Sequence, residues 1–549
     1  MPNPLKNAAE LQPIYLAGGP LRPRIGLASV HATRPHFPAV KAPLPPSSIQ
    51  RMLPWLVAVA FFMESLDTTI LNTAVPTIAE ALRVTPLSLK SALTSYMLSL
   101  AVFIPISGWV ADRYGTRRVF SSAIGVFTLG SLLCGLAPNL PLLVGARIVQ
   151  GVGGAMMMPV GRITMVRAFP KSELVRAMSF VAIPGLIGPL FGPLAGGLIV
   201  GYFHWRLIFF VNLPIGLVGL YMVHRYLPDY RAATSDPIDF IGFVLFGAGI
   251  ALLSYVLEVF GEHSLSPVAI TGLLLLAAAF LGLYVRHALR KPYPLLRLSL
   301  FRIRTFRAAV TGSFLTRLGV GGMPFLLPLL YQVGLGYTPI QSGLLIMPQP
   351  LAAMSLKMLM PRILTRIGYR RVLLSNTAII GMIIVLFSLI RPGFPAWLIV
   401  VQAFAFGFFS SLQYTCMNSL VFADLTPQET SMGSSIASAM QQMSMSFGVA
   451  VASLVAALFI GGHRAASSSE MTSALRHSFL ILGGMTVVST LIFRQLRPAD
   501  GASISSHKEA EAEASGEGVT AAPTGPHLPS IFAMKKMTTA PNTPPPNSM

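Results

Sequence analysis

Charge is what this chain has least of. Only 11% of its 549 residues are Asp, Glu, Lys or Arg, against roughly 25% in an ordinary soluble domain. With 53% hydrophobic residues the chain needs lipid as its solvent, which excludes a soluble globular protein. Acids are scarcest: 19 Asp and Glu stand against 40 Lys and Arg. Cysteine is nearly absent, and Cys134 and Cys416 both fall inside apolar runs, where they read as small packing residues. No CxxC pair or His/Cys cluster suggests a metal site, and no GxxxxGK[ST] loop offers to hold a nucleotide. No nucleophile–base constellation is visible either. Neither an enzyme nor a nucleotide-driven pump is expected, and no cofactor.

Long apolar runs are abundant instead. From Trp55 onward fourteen segments approach the ~20 residues that cross a bilayer as a helix. They centre near Asp67, Leu100, Thr128, Ala155, Ile187, Val218, Gly249, Ala278, Val320, Ala352, Ile383, Ala405, Ala450 and Val487. The net charge of +21 would suggest nucleic acid in a soluble protein, but its placement argues otherwise. Nineteen Lys and Arg fall in one set of alternate loops and six in the other. Basic residues are retained in the cytoplasm, so both termini are expected there, with an even number of spans. One loop dissents: Phe422 to Thr430 belongs to the basic set yet carries only Asp424 and Glu429.

The stretch Gly108-Trp-Val-Ala-Asp112-Arg113-Tyr-Gly115-Thr-Arg117-Arg118 is a basic turn wedged between two of these runs. It recurs 253 residues later: Gly115 aligns with Gly368, Arg113 with Arg366, Arg117 with Arg370 and Arg118 with Arg371. Two copies of one turn predict two related bundles. Thr365 stands opposite Asp112, so the acid belongs to one half alone. The organisation expected is a basic cytoplasmic tail without fixed structure (1–51), a six-helix bundle (52–227), two inserted helices (228–290), a second six-helix bundle (291–497) and a second unstructured tail (498–549).

A charge at membrane depth costs several kcal/mol and calls for a reason. Glu64 and Asp67 lie three apart on the first span and share a face. Two carboxylates that close do not ionise independently, which suits proton coupling; the bland alternative is a pair neutralised by arginines. Arg147 lies deep in the fourth span, within Arg147-Ile-Val-Gln150-Gly151-Val-Gly153-Gly154, where small residues let another helix approach and bury the guanidinium. The fifth span carries Gly188-Pro189, Gly192-Pro193 and Gly196-Gly197, a smooth stripe that reads as a packing groove or a hinge. Arg317 and Lys357 lie in later spans. Gly319, Gly321, Gly322 and Pro324 follow Arg317 and predict a broken span, a feature of transporter binding sites. With Asn72 and Gln150 these two bases are candidates for a substrate cavity.

Taken together, these motifs resemble the major facilitator superfamily, and within it the fourteen-helix drug:proton antiporters. Leu66-Asp67-Thr68-Thr69-Ile70-Leu71-Asn72-Thr73-Ala74-Val75-Pro76 resembles that branch's first-helix motif, Gly108 to Arg118 its loop between helices two and three, Arg147 to Gly154 its fourth-helix motif and Gly188 to Gly197 its fifth-helix motif. Trp205-Arg206 through Asn212-Leu-Pro214-Ile-Gly216 adds the run typical at the sixth helix. The resemblance covers about 52–497 and implies an all-α membrane protein with the major facilitator fold in the bacterial inner membrane. It implies two bundles rocking about a cavity, protons entering as a small amphipathic solute leaves, with Asp67, Glu64 and Arg147 coupling the two. Asp112 would be a cytoplasmic latch within the gating loop Gly108, Asp112, Arg113, Gly115, Arg117 and Arg118. A monomer is expected, with solute, protons and lipid as partners, and a periplasmic adaptor and outer-membrane channel as an extension some relatives use. Thr116 replaces a common basic residue, and Lys357 stands where divalent-cation exporters carry an acid, against dicationic drugs as substrates. A dedicated metabolite exporter, an importer of the same fold and a non-transporting membrane sensor remain the alternatives.

Overall fold

The computed structural model describes residues 46–231, 237–260, 266–426, 429–460 and 468–501. Nearly all of both expected tails lies outside the described residues.

Among the described residues the secondary structure is helical, without strands. This is the outcome lipid imposes, because a helix satisfies its backbone polar groups internally. Thirteen helices are long and apolar enough to cross a membrane. We number the spans α1 (Met52–Leu82), α2 (Pro86–Tyr114), α3 (Thr116–Leu136), α4 (Leu140–Ala168), α5 (Arg176–Tyr202), α6 (Leu207–Tyr226), α7 (Phe240–Val259), α8 (Pro267–Arg290), α9 (Arg304–Gly334), α11 (Tyr369–Phe387), α12 (Ala396–Leu420), α13 (Thr430–Ile460) and α14 (Ser469–Phe493), with α10 the remaining span, a helix pair, Pro339–Lys357 and Leu359–Ile367, bent by 65°. Each of the fourteen expected centres falls within one of these spans. The chain is a multi-pass membrane protein.

The repeated turn is visible in the backbone. Gly115 adopts φ 92, ψ 143 between α2 and α3, and Gly368 adopts φ 77, ψ 157 between α10 and α11. This region of backbone space is essentially restricted to glycine, so one glycine reverses the chain in each half. At Gly115 a Cβ would also strike the Asp229 carboxylate. Gly115→Ala is therefore expected to cost at least the 1–3 kcal/mol of a strained backbone, read as a lower melting temperature of the detergent-purified protein.

Packing is dense within each half, and the halves are joined both along α2 and α13 and at one end of the bundle. α1 lies along α5, α4 against α2 and α3, and α11 against α14. One apolar core cluster fills the first half, from Leu53 to Leu227. Another joins residues of both halves, including Ile70, Val75 and Ile78 with Phe325, Leu326 and Leu475. It sits at the end of the bundle where α1 finishes. There the halves also meet backbone to backbone. A Cβ on Gly343 would lie 3.0 Å from Leu194 Cα, and one on Gly197 3.1 Å from Ile340 Cα. Gln332 donates to the Thr73 carbonyl at 2.8 Å, and Ser453 to that of Leu87 at 3.4 Å. Ser446 donates to the Thr94 carbonyl at 3.2 Å.

The predicted break in α9 is present: helix runs to Val320, turns at Gly321 and Gly322, and resumes at Met323. The glycines there admit α13, since Cβ atoms on Gly321 and Gly448 would meet Met445 Cα at 3.3 Å and the Arg317 carbonyl at 2.7 Å respectively.

α7 and α8 pack on each other, and α7 touches α2 and α13. Their anchor is Asp239, whose side chain is 1% exposed. It accepts from His287 Nε2 at 2.7 Å and from the backbone of Gly242 and Leu295 at 3.1 and 3.0 Å, with Lys291 Nζ at 3.4 Å. Desolvation opposes ionisation here, but those hydrogen bonds outweigh it and hold the carboxyl below its ordinary value of 3.8. A depressed folded-state pKa gives stability that is present above the unfolded value and lost as pH falls through the folded one. Asp239→Asn is expected to melt lower than the parent at neutral pH, with the gap closing once the pH drops below the ordinary value.

The acids of the dissenting loop have local work. Asp424 accepts from Thr305 Oγ1 at 2.8 Å, and Glu429 accepts from Thr426 Oγ1 at 2.8 Å and its backbone N–H at 3.2 Å.

Candidate functional site

The α1 segment from Glu64 to Asn72 is polar for a membrane span, and its hydroxyls are satisfied by its own helix. Thr68 Oγ1 donates to the Glu64 carbonyl at 2.8 Å and Thr69 Oγ1 to that of Ser65 at 2.9 Å. The glycine stripe of α5 lies on this segment. A Cβ on Gly188 would sit 2.8 Å from Leu66 N, one on Gly192 would meet Thr69 Oγ1, and one on Gly196 the Ile70 carbonyl. Pro189 and Pro193 lie within the helix. The stripe thus sets how closely α5 backs the turn of α1 that carries the two acids.

Asp67 is 1% exposed and saturated. Its Oδ2 receives Arg147 Nη1 at 2.6 Å, and its Oδ1 receives Gln150 Nε2 and Asn212 Nδ2, each at 2.8 Å. Arg147, also 1% exposed, donates as well from Nη1 to Gln150 Oε1 at 2.7 Å and from Nε to the Ala92 carbonyl at 3.1 Å. Its guanidinium carbon stands 4.3 Å from the centre of the Tyr96 ring. Ser131 on α3 closes the network, accepting from Gln150 at 2.8 Å and Asn212 at 3.3 Å. Five spans contribute, which is possible because glycines let α4 approach α2 and α3: a Cβ on Gly151 of α4 would lie 2.6 Å from Ser99 Cβ, and one on Gly130 of α3 2.6 Å from the Gln150 backbone. A buried pair of this kind is held by geometry and by hydrogen bonds to its remaining valences.

Glu64 is the contrast. It is 7% exposed, and its Oε2 has no hydrogen-bond partner. Arg162 and Asp67 are the charges that act on it. The structure thus separates two carboxylates that look alike on the helix: one is locked, the other is free.

The remaining candidates are dispersed. Asn72 donates to the Thr68 carbonyl of its own helix at 3.4 Å. In the second half Arg317 is 3% exposed, donates from Nε to Ser313 Oγ at 3.0 Å and stacks 3.7 Å from the Tyr414 ring centre. Lys357 is exposed. Asp112 pairs with Arg167 of α4 at 2.5 Å, while Arg113 and Arg118 are exposed. A Cβ on Gly108 would find Ile163 Cδ1 at 3.9 Å, so nothing crowds that glycine.

The segment after α6 clasps the turn. Thr116 N–H donates to the Tyr230 carbonyl at 3.0 Å and its Oγ1 accepts from Tyr230 N–H at 3.0 Å. Arg117 donates from its backbone to Asp229 Oδ1 at 3.3 Å and from its guanidinium to the His224 carbonyl. The departure at position 116 therefore has a reason: the short hydroxyl, wholly buried, fits a clasp that a long basic side chain would not. Sequence reasoning missed Tyr96, Ser131, Tyr414 and the Asp229–Tyr230 clasp. A lone Ser or Tyr in an apolar span is the one signal they leave.

The Major Facilitator Superfamily model matches residues 57–449 and, separately, 309–540. The chain is 40% identical over 454 residues to the "Putative multidrug resistance protein MdtD" of Serratia proteamaculans, covering 83% of this chain and 94% of that protein. A protein of that name from Escherichia coli O157:H7 is 40% identical over 444 residues, covering 80% and 94%. Among solved structures it is similar to the POT family transporter PepTSo, with TM-score 0.60, 15% identity and coverage of 82% of this chain and 98% of that one. The D-xylose-proton symporter gives TM-score 0.59, 13% identity and coverage of 82% and 99%.

Proposed function

Because the chain belongs to the Major Facilitator Superfamily, we propose that it is a proton-coupled exporter of small amphipathic compounds in the bacterial inner membrane. One observation carries the coupling: Glu64 is a buried carboxylate with a free oxygen, beside an Asp67 both of whose oxygens accept hydrogen bonds. A proton on Oε2 of Glu64 displaces no hydrogen bond, whereas a proton on either oxygen of Asp67 would displace a donor already bound there. We assign proton carriage to Glu64 and assign Asp67, Arg147, Gln150 and Asn212 to holding α1, α4 and α6 in the geometry that presents it. The multidrug-resistance name of the MdtD relatives supports efflux as the direction.

Alternating access supplies the cycle. The halves interlock where α1 ends, through Gly197 with Ile340, Gly343 with Leu194 and the Gln332–Thr73 bond. The bias of Lys and Arg toward the opposite loops makes this the periplasmic end, so we read the arrangement as the state closed on the periplasmic side. In this state solute enters and Glu64 releases its proton inward. Opening of the glycine seams lets solute leave and a proton return. Inward proton flow provides the energy, since solute and proton favour opposite states. Both termini are cytoplasmic in this arrangement, and neither cofactor nor nucleotide is required.

Proteoliposomes with an imposed proton gradient and an internal pH dye test the reading. Adding a transported compound should discharge the gradient. A protein that is folded and oriented but moves solute with no proton movement would refute antiport.

A further inference from the structure

Among the described residues two arginines are buried, and they are not in the same condition. Arg147 has Asp67 at 2.6 Å. Arg317 is 3% exposed, and among the described residues it makes no ion pair. Its guanidinium offers five N–H donors. One of them, at Nε, goes to Ser313 Oγ. The Nη atoms have no described partner and are not among the atoms sealed from solvent. The Tyr414 ring stacks at 3.7 Å and holds the guanidinium plane in place. Ser313 and Tyr414 are themselves only half-buried, so the edge of the fork faces accessible space.

The second half also contains nothing to neutralise it. From Arg304 to Ile460 no Asp or Glu lies within a span, and α14 carries only Glu470, in its first turn. The acids outside the spans are engaged: Asp424 with Thr305, Glu429 with Thr426 and Asp500 with Arg304 at 2.5 Å. Lys357, exposed on α10, is a further cation of this half. A buried charge without a counter-ion is costly unless a partner arrives. A planar fork with free donors, held flat against an aromatic ring, matches a carboxylate or a similar oxyanion bidentately.

We propose that Arg317, stacked on Tyr414, is the receptor for an anionic group, and that the solutes carried are amphipathic organic anions. The inference rests on the chain being an exporter and names its substrate class. The acids and the anion receptor then occupy different halves, so the moving proton and the solute's charge do not compete for one group.

Binding is measured on the full-length protein in detergent with no gradient, which separates this question from proton coupling. Naphthoate, naphthamide and naphthylmethylammonium serve as matched probes by calorimetry. Naphthoate should bind at least about tenfold tighter than naphthamide, and the ammonium weakest. Arg317→Gln should remove that preference while naphthamide binding stays the same. Arg317→Lys, which keeps the charge and guards against misfolding of the neutral variant, should weaken naphthoate several-fold and leave naphthamide unchanged. Equal binding of the three probes, no measurable naphthoate binding, or a preference that survives both substitutions would overturn the assignment. Loss of antiport in proteoliposomes with anion preference intact would instead refute the coupling mechanism and leave this receptor standing.

Discussion

Asp67→Asn is expected to destabilise the protein by roughly 3–5 kcal/mol, the cost of removing one partner from a buried ion pair, and to abolish transport. Sequence reasoning expects this variant to lose coupled efflux while still being made normally. The geometry gives a different expectation for folding. Asp67 accepts from Arg147, Gln150 and Asn212. An Asn would turn an amide donor toward at least one of these donors and leave the Arg147 charge uncompensated at 1% exposure. Arg147→Gln should cost a similar amount by stranding the carboxylate. The double variant Asp67→Asn/Arg147→Gln should recover much of the loss, because two neutral amides can bond where neither single variant can. Thermal melting of the four proteins in detergent completes the cycle. Additive losses in the double variant would show that the pair is not a unit. Transport should stay absent in the double variant, since stability alone does not restore the presentation of Glu64.

Glu64→Gln has the second large effect, of the opposite kind. Its Oε2 makes no hydrogen bond, so the substitution removes no described partner and should move the melting temperature little. Solute-driven proton movement should fall to the level of empty liposomes, while binding measured without a gradient persists. A Glu64→Gln protein that still discharges the gradient on solute addition would transfer proton carriage elsewhere and return Asp67 to candidacy. The two substitutions are three residues apart on one helix, yet one should act on folding and coupling together and the other on coupling alone. That separation is the most direct reading of the site.

The other tests bear on the scaffold. Gly115→Ala probes the turn repeated at Gly368, and Asp239→Asn the anchor of the inserted pair. Neither touches the buried network, so each should lower melting; Gly115 belongs to the gating loop, so only Asp239→Asn should also leave the coupling of solute and protons unchanged.

Sequence by itself determined the solvent, the number of spans and the repeat. Each follows from quantities local to the chain: hydropathy over about twenty residues, basic residues in alternate loops, and a glycine in a backbone region others avoid. It also determined which residues are costly enough at membrane depth to need a reason, and Glu64, Asp67, Arg147 and Arg317 were all legible on that ground. Which partners each of them meets was decided only by tertiary structure. Glu64 and Asp67 look equivalent on a helical wheel, because spacing fixes a shared face and nothing more. Asp67 is bonded by Gln150 and Asn212, with Ser131 behind them, all brought in by three other spans, whereas no described hydrogen bond reaches Oε2 of Glu64. Arg147 and Arg317 likewise differ through what packs beside them: a carboxylate for one, and Tyr414 with open donors for the other. A charge's role depends on its partners, and in a helical membrane protein those partners lie tens of residues away in sequence, on helices whose rotation is set by glycine contacts across the bundle.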